Sequence, residues 1–600
     1  MPKPARRARP SRAVAAPPLE ALPPAAWAAI TVLAAVLALL FVTFPIYDTD
    51  LWQHLLVGKV IWTQHTIPNT QLWVWPIHGE PDVLQSWLFR AVLYPFWAVG
   101  GESGIFAWRW LTTLAAFGLL WKAARAAGAR GPWVLVALLW CVMLYRYRSQ
   151  ARPETLVAVL VGSQLWLLEK RRTEGVQPGR WDPAWGVVPI AMLWANVHIS
   201  YYIGLLLTGF HLVAALLPSQ RARPPQAPTI LLWALLASVA ASLVNPFGWQ
   251  ALAEPFRYFF IWRHEPIYHV IGELRSVDWA VFAPVLLPVW LALLVLLAIW
   301  RWWRRGFDLV EFLVLVVFIP QALSTQRFLG YLAVLVAPFM ARNLDEACSA
   351  LRPRFLEAAW ARAGAVAALL LALGLPALAN PALRPGLGFV WNEFPIAACD
   401  WMAAHDVRGR GFNAFGYGGY MLWRFWPDKG RLPFMDAHAA GTRVDRDRAA
   451  YVTTHPKVWE QLDGARKFDY VLMPKRQFPG QFLLDHLDAD STHWALVFVD
   501  DAAVIYLRRD GAMADLAARE SYRLLPGGDA TFRRLGARLS ADSVLRAQVR
   551  VELLRMTAAS AWTSGAHDVL AQLAEDDGRM DEAARETRLA ERAAVARPAK

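Results

Sequence analysis

Asp48-Thr-Asp50 and His54 stand just beyond an apolar run, and Arg146-Tyr-Arg148-Ser-Gln-Ala-Arg152-Pro-Glu154 stands at the head of another. Carboxylates beside a membrane are costly and tend to be functional. They can take a proton, hold a metal ion, or simply end a helix at the interface. Arginines grip phosphate oxygens in pairs, so Arg146, Arg148 and Arg152 form an anion seat. The alternative is internal pairing of Arg152 with Glu154 or the aspartates. Three more polar groups join the list: His198 in Trp194-Ala-Asn-Val-His198, Asn245 in Asn245-Pro-Phe-Gly-Trp249, and Arg327 in Gln326-Arg327. His198 taken alone also fits a structural histidine.

The elements that must carry these residues are membrane helices. Of 600 residues, 56% are hydrophobic and only 18% are charged, with 32 tryptophans. That excludes a disordered chain and a single soluble domain. The charge of +13 falls largely in short clusters between apolar runs, as in cytoplasmic loops. No nucleic-acid motif accompanies it, so no nucleic-acid partner is expected. Three cysteines, Cys141, Cys348 and Cys399, are too few and too scattered for a disulfide framework or a zinc site.

Residues 1–25 form a basic tail, expected in the cytoplasm. The apolar run Ala26–Pro45 is about 20 residues, longer than a signal-peptide core, and reads as a retained first span. About eleven spans follow from the apolar runs. A long first outer loop runs to about Gly104 and contains Trp87–Val99, read as a helix lying in the interface. Later spans are expected near 105–121, 132–145, 154–169, 230–244 and 363–378, with two within 185–217, one ending at Arg301 and two flanking Gln326-Arg327. Arg221 and Arg223 mark one of the inner loops, and 250–279 forms a second long outer loop. Arg146, Arg148 and Arg152 break the positive-inside rule by falling outside, which argues for a role there. In this topology the acids, the arginines, His198, Asn245 and Arg327 share one face of the membrane.

Beyond residue 380 the composition changes. Strands are expected at Tyr420–Arg424, Tyr470–Met473, Trp494–Val499 and Val504–Arg508, the last two forming a hairpin around Asp500-Asp501. Residues 511–600 are helical, with a weakly tetratricopeptide-like stretch around Gly578. The expected fold is thus a membrane all-α bundle (26–379), an outer α+β domain (380–510) and a helical C-terminal region.

Several blocks in order resemble a bacterial group of the GT-C glycosyltransferase superfamily, which includes protein mannosyltransferases, oligosaccharyltransferases and aminoarabinose transferases. The blocks are Asp48-Thr-Asp-Leu-Trp-Gln-His54-Leu-Leu-Val-Gly58, Ile67-Pro-Asn-Thr, Gln85-Ser-Trp-Leu, Ala151-Arg-Pro-Glu154, Leu193-Trp-Ala-Asn-Val-His198, Asn245-Pro-Phe-Gly-Trp, Gln326-Arg327, Phe412-Asn-Ala-Phe-Gly-Tyr-Gly-Gly-Tyr420 and Phe434-Met-Asp436. Thr49 and Gln53 stand where the group usually has Pro and a second Trp. The resemblance implies a GT-C-like bundle in a bacterial inner (cytoplasmic) membrane, with the C-terminal domain periplasmic. It implies inverting transfer of a sugar from a polyprenyl-phosphate or diphosphate donor to a glycan, lipid or protein acceptor. Asp48, Asp50 and Glu154 become the catalytic acids, or the ligands of a divalent cation (Mg or Mn) if the reaction uses one. His54, Arg146, Arg148, Arg152, His198, Asn245 and Arg327 become substrate-binding residues. Asn413 and Asp436 read as buried structural polars, with acceptor contact as the alternative. A non-catalytic membrane scaffold of the same fold, or a lipid or solute transporter, are the other readings the sequence allows.

Overall fold

The computed structural model describes residues 21–176, 179–217, 227–351, 356–436, 438 and 441–595. Most of the basic tail and the inner-loop arginines Arg221 and Arg223 lie outside the described residues.

Helices cover each of the expected apolar stretches. Five are long and apolar enough to cross a membrane: Pro24–Val42, Ile199–Leu216, Leu287–Arg305, Phe328–Leu351 and Ala359–Ala379. Pro183–Val197, Pro228–Ser242 and Leu309–Ser324 are apolar but shorter. Phe328–Leu351 is the central post, 89% buried along its apolar window, whereas Leu287–Arg305 is only 22% buried. The outward faces carry exposed Trp233, Leu236, Leu296, Ile299 and Trp303. Apolar faces of that extent belong against lipid.

The segment expected as the first outer loop is mostly helical. Asp50–Gln64 is a helix of its own. Trp87–Val99 is helical, as expected, and meets the next helix at a kink: the two run together over Trp87–Ala126 and break at Gly101, with φ 52° and ψ −129°. That backbone geometry is closed to residues with a side chain, and it turns the interfacial segment into the second apolar stretch.

The C-terminal part builds one sheet from β1 (Gly411–Asn413), β2 (Tyr470–Pro474), β3 (Trp494–Val499) and β4 (Ala503–Arg508), in the order β1-β2-β4-β3. β1 is parallel to β2 and the other pairs are antiparallel. The expected hairpin is β3–β4, with Asp500 Oδ1 accepting from the Ala502 and Ala503 amides. Tyr420–Arg424, expected as a strand, lies in helix Gly418–Phe425. Five residues cannot separate the two periods, and the segment buries Tyr420, Met421 and Leu422, with Tyr420 edge-on to Trp52 at 5.2 Å. Trp52 is ringed by Trp97, Phe389, Phe394, Tyr420 and Trp423. This aromatic cluster bolts the outer loop to the C-terminal domain. Ile46 also pairs with Phe389 in a parallel bridge. After β4 come five helices, the last two, Ser564–Asp576 and Met580–Ala594, joined at Gly578.

Candidate functional site

Asp48 and Asp50 owe their positions to the start of helix Asp50–Gln64. Asp48 Oδ1 accepts from the Asp50 amide at 3.2 Å, and acids are favoured at a helix N-terminus. Arg152 comes from the turn ahead of helix Glu154–Glu174. It grips Asp48 with two bonds of 2.8 Å, through Nε and Nη2, and reaches Asp50 Oδ2 at 3.1 Å. Arg327 approaches from the turn before Phe328–Leu351 and donates to Glu154 Oε1 at 2.7 Å. Arg148 lies 3.6 Å from the same oxygen. Its stem passes Gly330, where a Cβ would stand 2.4 Å from Arg148 Cγ; only glycine leaves that path open.

A fourth acid, Glu273, completes the cluster. It meets Arg148 at 2.6 Å, Arg152 at 3.1 Å and Arg327 at 3.3 Å. Sequence reasoning missed it, because it is one acid among several in the second outer loop with no motif around it. Its position comes from backbone bonds. Arg327 N donates to Glu273 O at 3.0 Å and Gln326 N to Arg275 O at 2.8 Å. Gln326 Nε2 donates to Gly272 O at 2.7 Å.

These groups border a cavity of about 820 Å³, lined among others by Asp50, His54, Arg90, Arg152, Glu154, His198, Glu273 and Arg327. Asp48 and Arg148 do not line it; Arg148 stands behind Glu154 and Glu273. Burial pushes the Asp50 carboxyl up to about 7, Asp48 and Glu273 adding to the rise while Arg152 and Arg327 oppose it. Burial alone would raise Glu273 too, but Arg148, Arg327 and Arg152 hold it well below the usual carboxylate range. His54 Nδ1 accepts from Arg90 Nε at 3.2 Å, which leaves the proton of the neutral ring on Nε2. Burial and the neighbouring His438 and Arg90 keep that ring neutral. His198 Nδ1 contacts Ser200 Oγ at 2.8 Å.

Not every expected residue joins. Arg146 bonds the Phe41 carbonyl and stacks over Phe44 at 4.4 Å, pinning its loop to the first helix. Asn245 accepts from the Phe247 amide and donates to the Ser242 and Gly248 carbonyls, closing its own turn. Asn413 is spent on the Phe434 amide and the Ala414 and Met435 carbonyls.

The acids face guanidiniums rather than one another. Both oxygens of Asp48 are on Arg152, Asp50 meets the same guanidinium, and Glu154 is bonded to Arg327. Among the described residues no three acidic, histidine or cysteine side chains converge as metal ligands. Guanidinium groups occupy the centre of the acid cluster.

No protein-family model matches the chain, and no curated protein matches it. Solved structures do. The archaeal oligosaccharyltransferase AglB from Archaeoglobus fulgidus, in complex with an inhibitory peptide and a dolichol-phosphate, aligns with a TM-score of 0.50 at 13% identity, over 75% of this chain and 69% of that one. An A. fulgidus oligosaccharyltransferase tethered to an acceptor peptide gives 0.52 at 12% identity over the same shares. ArnT from Cupriavidus metallidurans gives 0.46 at 13%, over 80% of this chain and 96% of that one. The chain thus has the fold of the oligosaccharyltransferases, a fold of the GT-C membrane glycosyltransferases.

Proposed function

We propose that the chain is an inverting membrane glycosyltransferase that moves a sugar from a polyprenyl-phosphate or diphosphate donor to a nucleophilic acceptor. In this reading the bundle crosses the membrane about eleven times, and the cavity and the C-terminal domain face the periplasm. The observation that carries it is the meeting of Asp50, Arg152, Glu154 and Arg327 at one large cavity, from three separate parts of the chain. The fold match supports the same reading; one matched oligosaccharyltransferase holds a dolichol-phosphate and another an acceptor peptide.

Asp50 is the general base. A carboxyl with a pKa near the working pH is well matched to taking a proton in the transition state. The acceptor oxygen or nitrogen attacks the anomeric carbon as its proton passes to Asp50. The bond from that carbon to the phosphate oxygen breaks, and its electron pair stays on the phosphate. Fixed arginines stabilise that charge. Asp48 acts at one remove, holding Arg152 in place. The three arginines supply the positive field, so no step runs through a metal ion.

The test is transfer from a polyprenyl-linked sugar by purified protein in detergent or liposomes. Asp50→Asn abolishes transfer without lowering expression, while Asp48→Asn leaves a reduced rate. Full activity in both variants removes the catalytic reading and favours a scaffold.

A further inference from the structure

We infer that the Glu273 carboxylate is a resident stand-in for the donor's phosphate, filling the seat between Arg148, Arg152 and Arg327 until the phosphate displaces it. The inference rests on the transferase reading above and names the seat and the event that opens it.

Charge balance raises the need. The cluster holds four carboxylates, Asp48, Asp50, Glu154 and Glu273, against three guanidiniums. A phosphate added beside guanidiniums that acids already neutralise would meet repulsion, costly where water is partly excluded. One acid must give way. Asp48 is locked by both oxygens and buried. Glu154 is buried at the head of a long helix. Asp50 touches a single arginine, so its departure frees little. Glu273 alone touches all three, and its side chain is a quarter exposed at the cavity wall.

The backbone of Glu273 is tied to Arg327, and its neighbours Gly272 and Arg275 are tied to Gln326. The loop therefore stays while the side chain swings. The cavity beside it gives room for that rotation. Until then Glu273 keeps the three guanidiniums aimed at one point, so the seat is formed before the donor arrives. This saves the ordering that binding would otherwise require.

The probes are undecaprenyl phosphate and inorganic pyrophosphate, with affinity measured on the full-length protein in detergent. Glu273→Gln removes the competing charge and keeps the size of the side chain; Glu273→Ala removes both. Neither touches the backbone bonds. Both variants are expected to bind the probes about tenfold more tightly than the wild type, with the donor KM falling in step for Glu273→Gln. Unchanged or weaker binding in both variants overturns the inference and makes Glu273 a structural clamp. Wild-type protein that binds neither probe overturns the phosphate-donor reading as well, so the two failures are told apart by the wild type alone.

Discussion

At its N-terminal end, helix Glu154–Glu174 contributes Glu154 to the cavity cluster; near its C-terminal end it contributes Glu169 and Arg172 to a second one. There Glu169 binds His211 at 3.0 Å and Arg172 at 2.7 Å. Arg172 and Arg342 share Asp308, at 2.7 and 2.8 Å. Glu311 is held by Arg342, Asn343 and Trp302. Every carboxylate oxygen of Glu169, Asp308 and Glu311 has a partner, and none of these residues lines the large cavity. The cavity cluster uses the same residue types but is left incomplete. Glu154 Oε2 is buried without a partner, and the side chains of Asp50, Glu273 and Arg327 keep 22%, 25% and 30% of their exposure. In the second cluster Glu311 and Arg342 keep 0% and 1%. A closed network holds helices together; an open one holds charge ready for something that arrives.

The comparison can be broken in order of expected effect. Asp50→Asn should lower transfer by about a thousandfold, the scale of losing a general base, with no loss of thermal stability. Asp50 is raised on folding from its ordinary 3.8 to about 7, so folding favours its protonated form. Its contribution to stability is full below the ordinary value and is lost as pH rises through about 7. A neutral amide mimics the favoured state. Arg342→Ala should do the reverse. It leaves Glu311 buried without its cation and Asp308 with one cation fewer, and costs about 3 kcal/mol or more. Thermal unfolding in detergent reads that loss, and the pH dependence of whatever protein folds stays as in wild type. If Arg342→Ala matched wild-type stability, the closed network would not be the lock described here.

Titration sharpens the contrast. Transfer should rise as pH passes about 7, when Asp50 becomes a carboxylate. Arg152→Gln removes a charge that lowers the Asp50 pKa, and should move this limb up by about one unit. Asp48→Asn removes a charge that raises it and should move the limb down. Shifts of the same sign in both variants would mean that another group controls the limb. The smallest effect expected is none: chelation by EDTA should leave transfer unchanged, because arginines take the place of a metal among these acids. Loss of activity restored by Mn²⁺ would refute that.

Much of the site could be read from residue order. Asp50, Arg152, Glu154 and Arg327 are read as one group from the basic loops and apolar runs, and they meet at one cavity. Asp48 and Asp50 could not be told apart, since two residues decide which carboxyl faces the cavity and which the arginine, and only the packed helix start fixes that. Glu273 was invisible because its place depends on bonds to a segment over 50 residues away. Arg146 and Asn245 carry the right chemistry and spend it on backbone carbonyls and amides. In the fold, the β3–β4 hairpin followed from alternation, whereas Tyr420–Arg424 took the helical form its docking on Trp52 demands.

Helix Glu154–Glu174 also works as a ruler. Fifteen residues separate Glu154 from Glu169, about 22 Å of helix, and a bilayer's hydrocarbon core is about 30 Å thick. Two polar clusters fixed that far apart cannot both sit at the lipid–water boundary of an unperturbed bilayer. The closed network, with Glu311 and Arg342 at 0% and 1% exposure, needs no water and tolerates hydrocarbon around it; the open cluster needs contact with water. The length of one helix thus sets how far from the wet end the dry one lies.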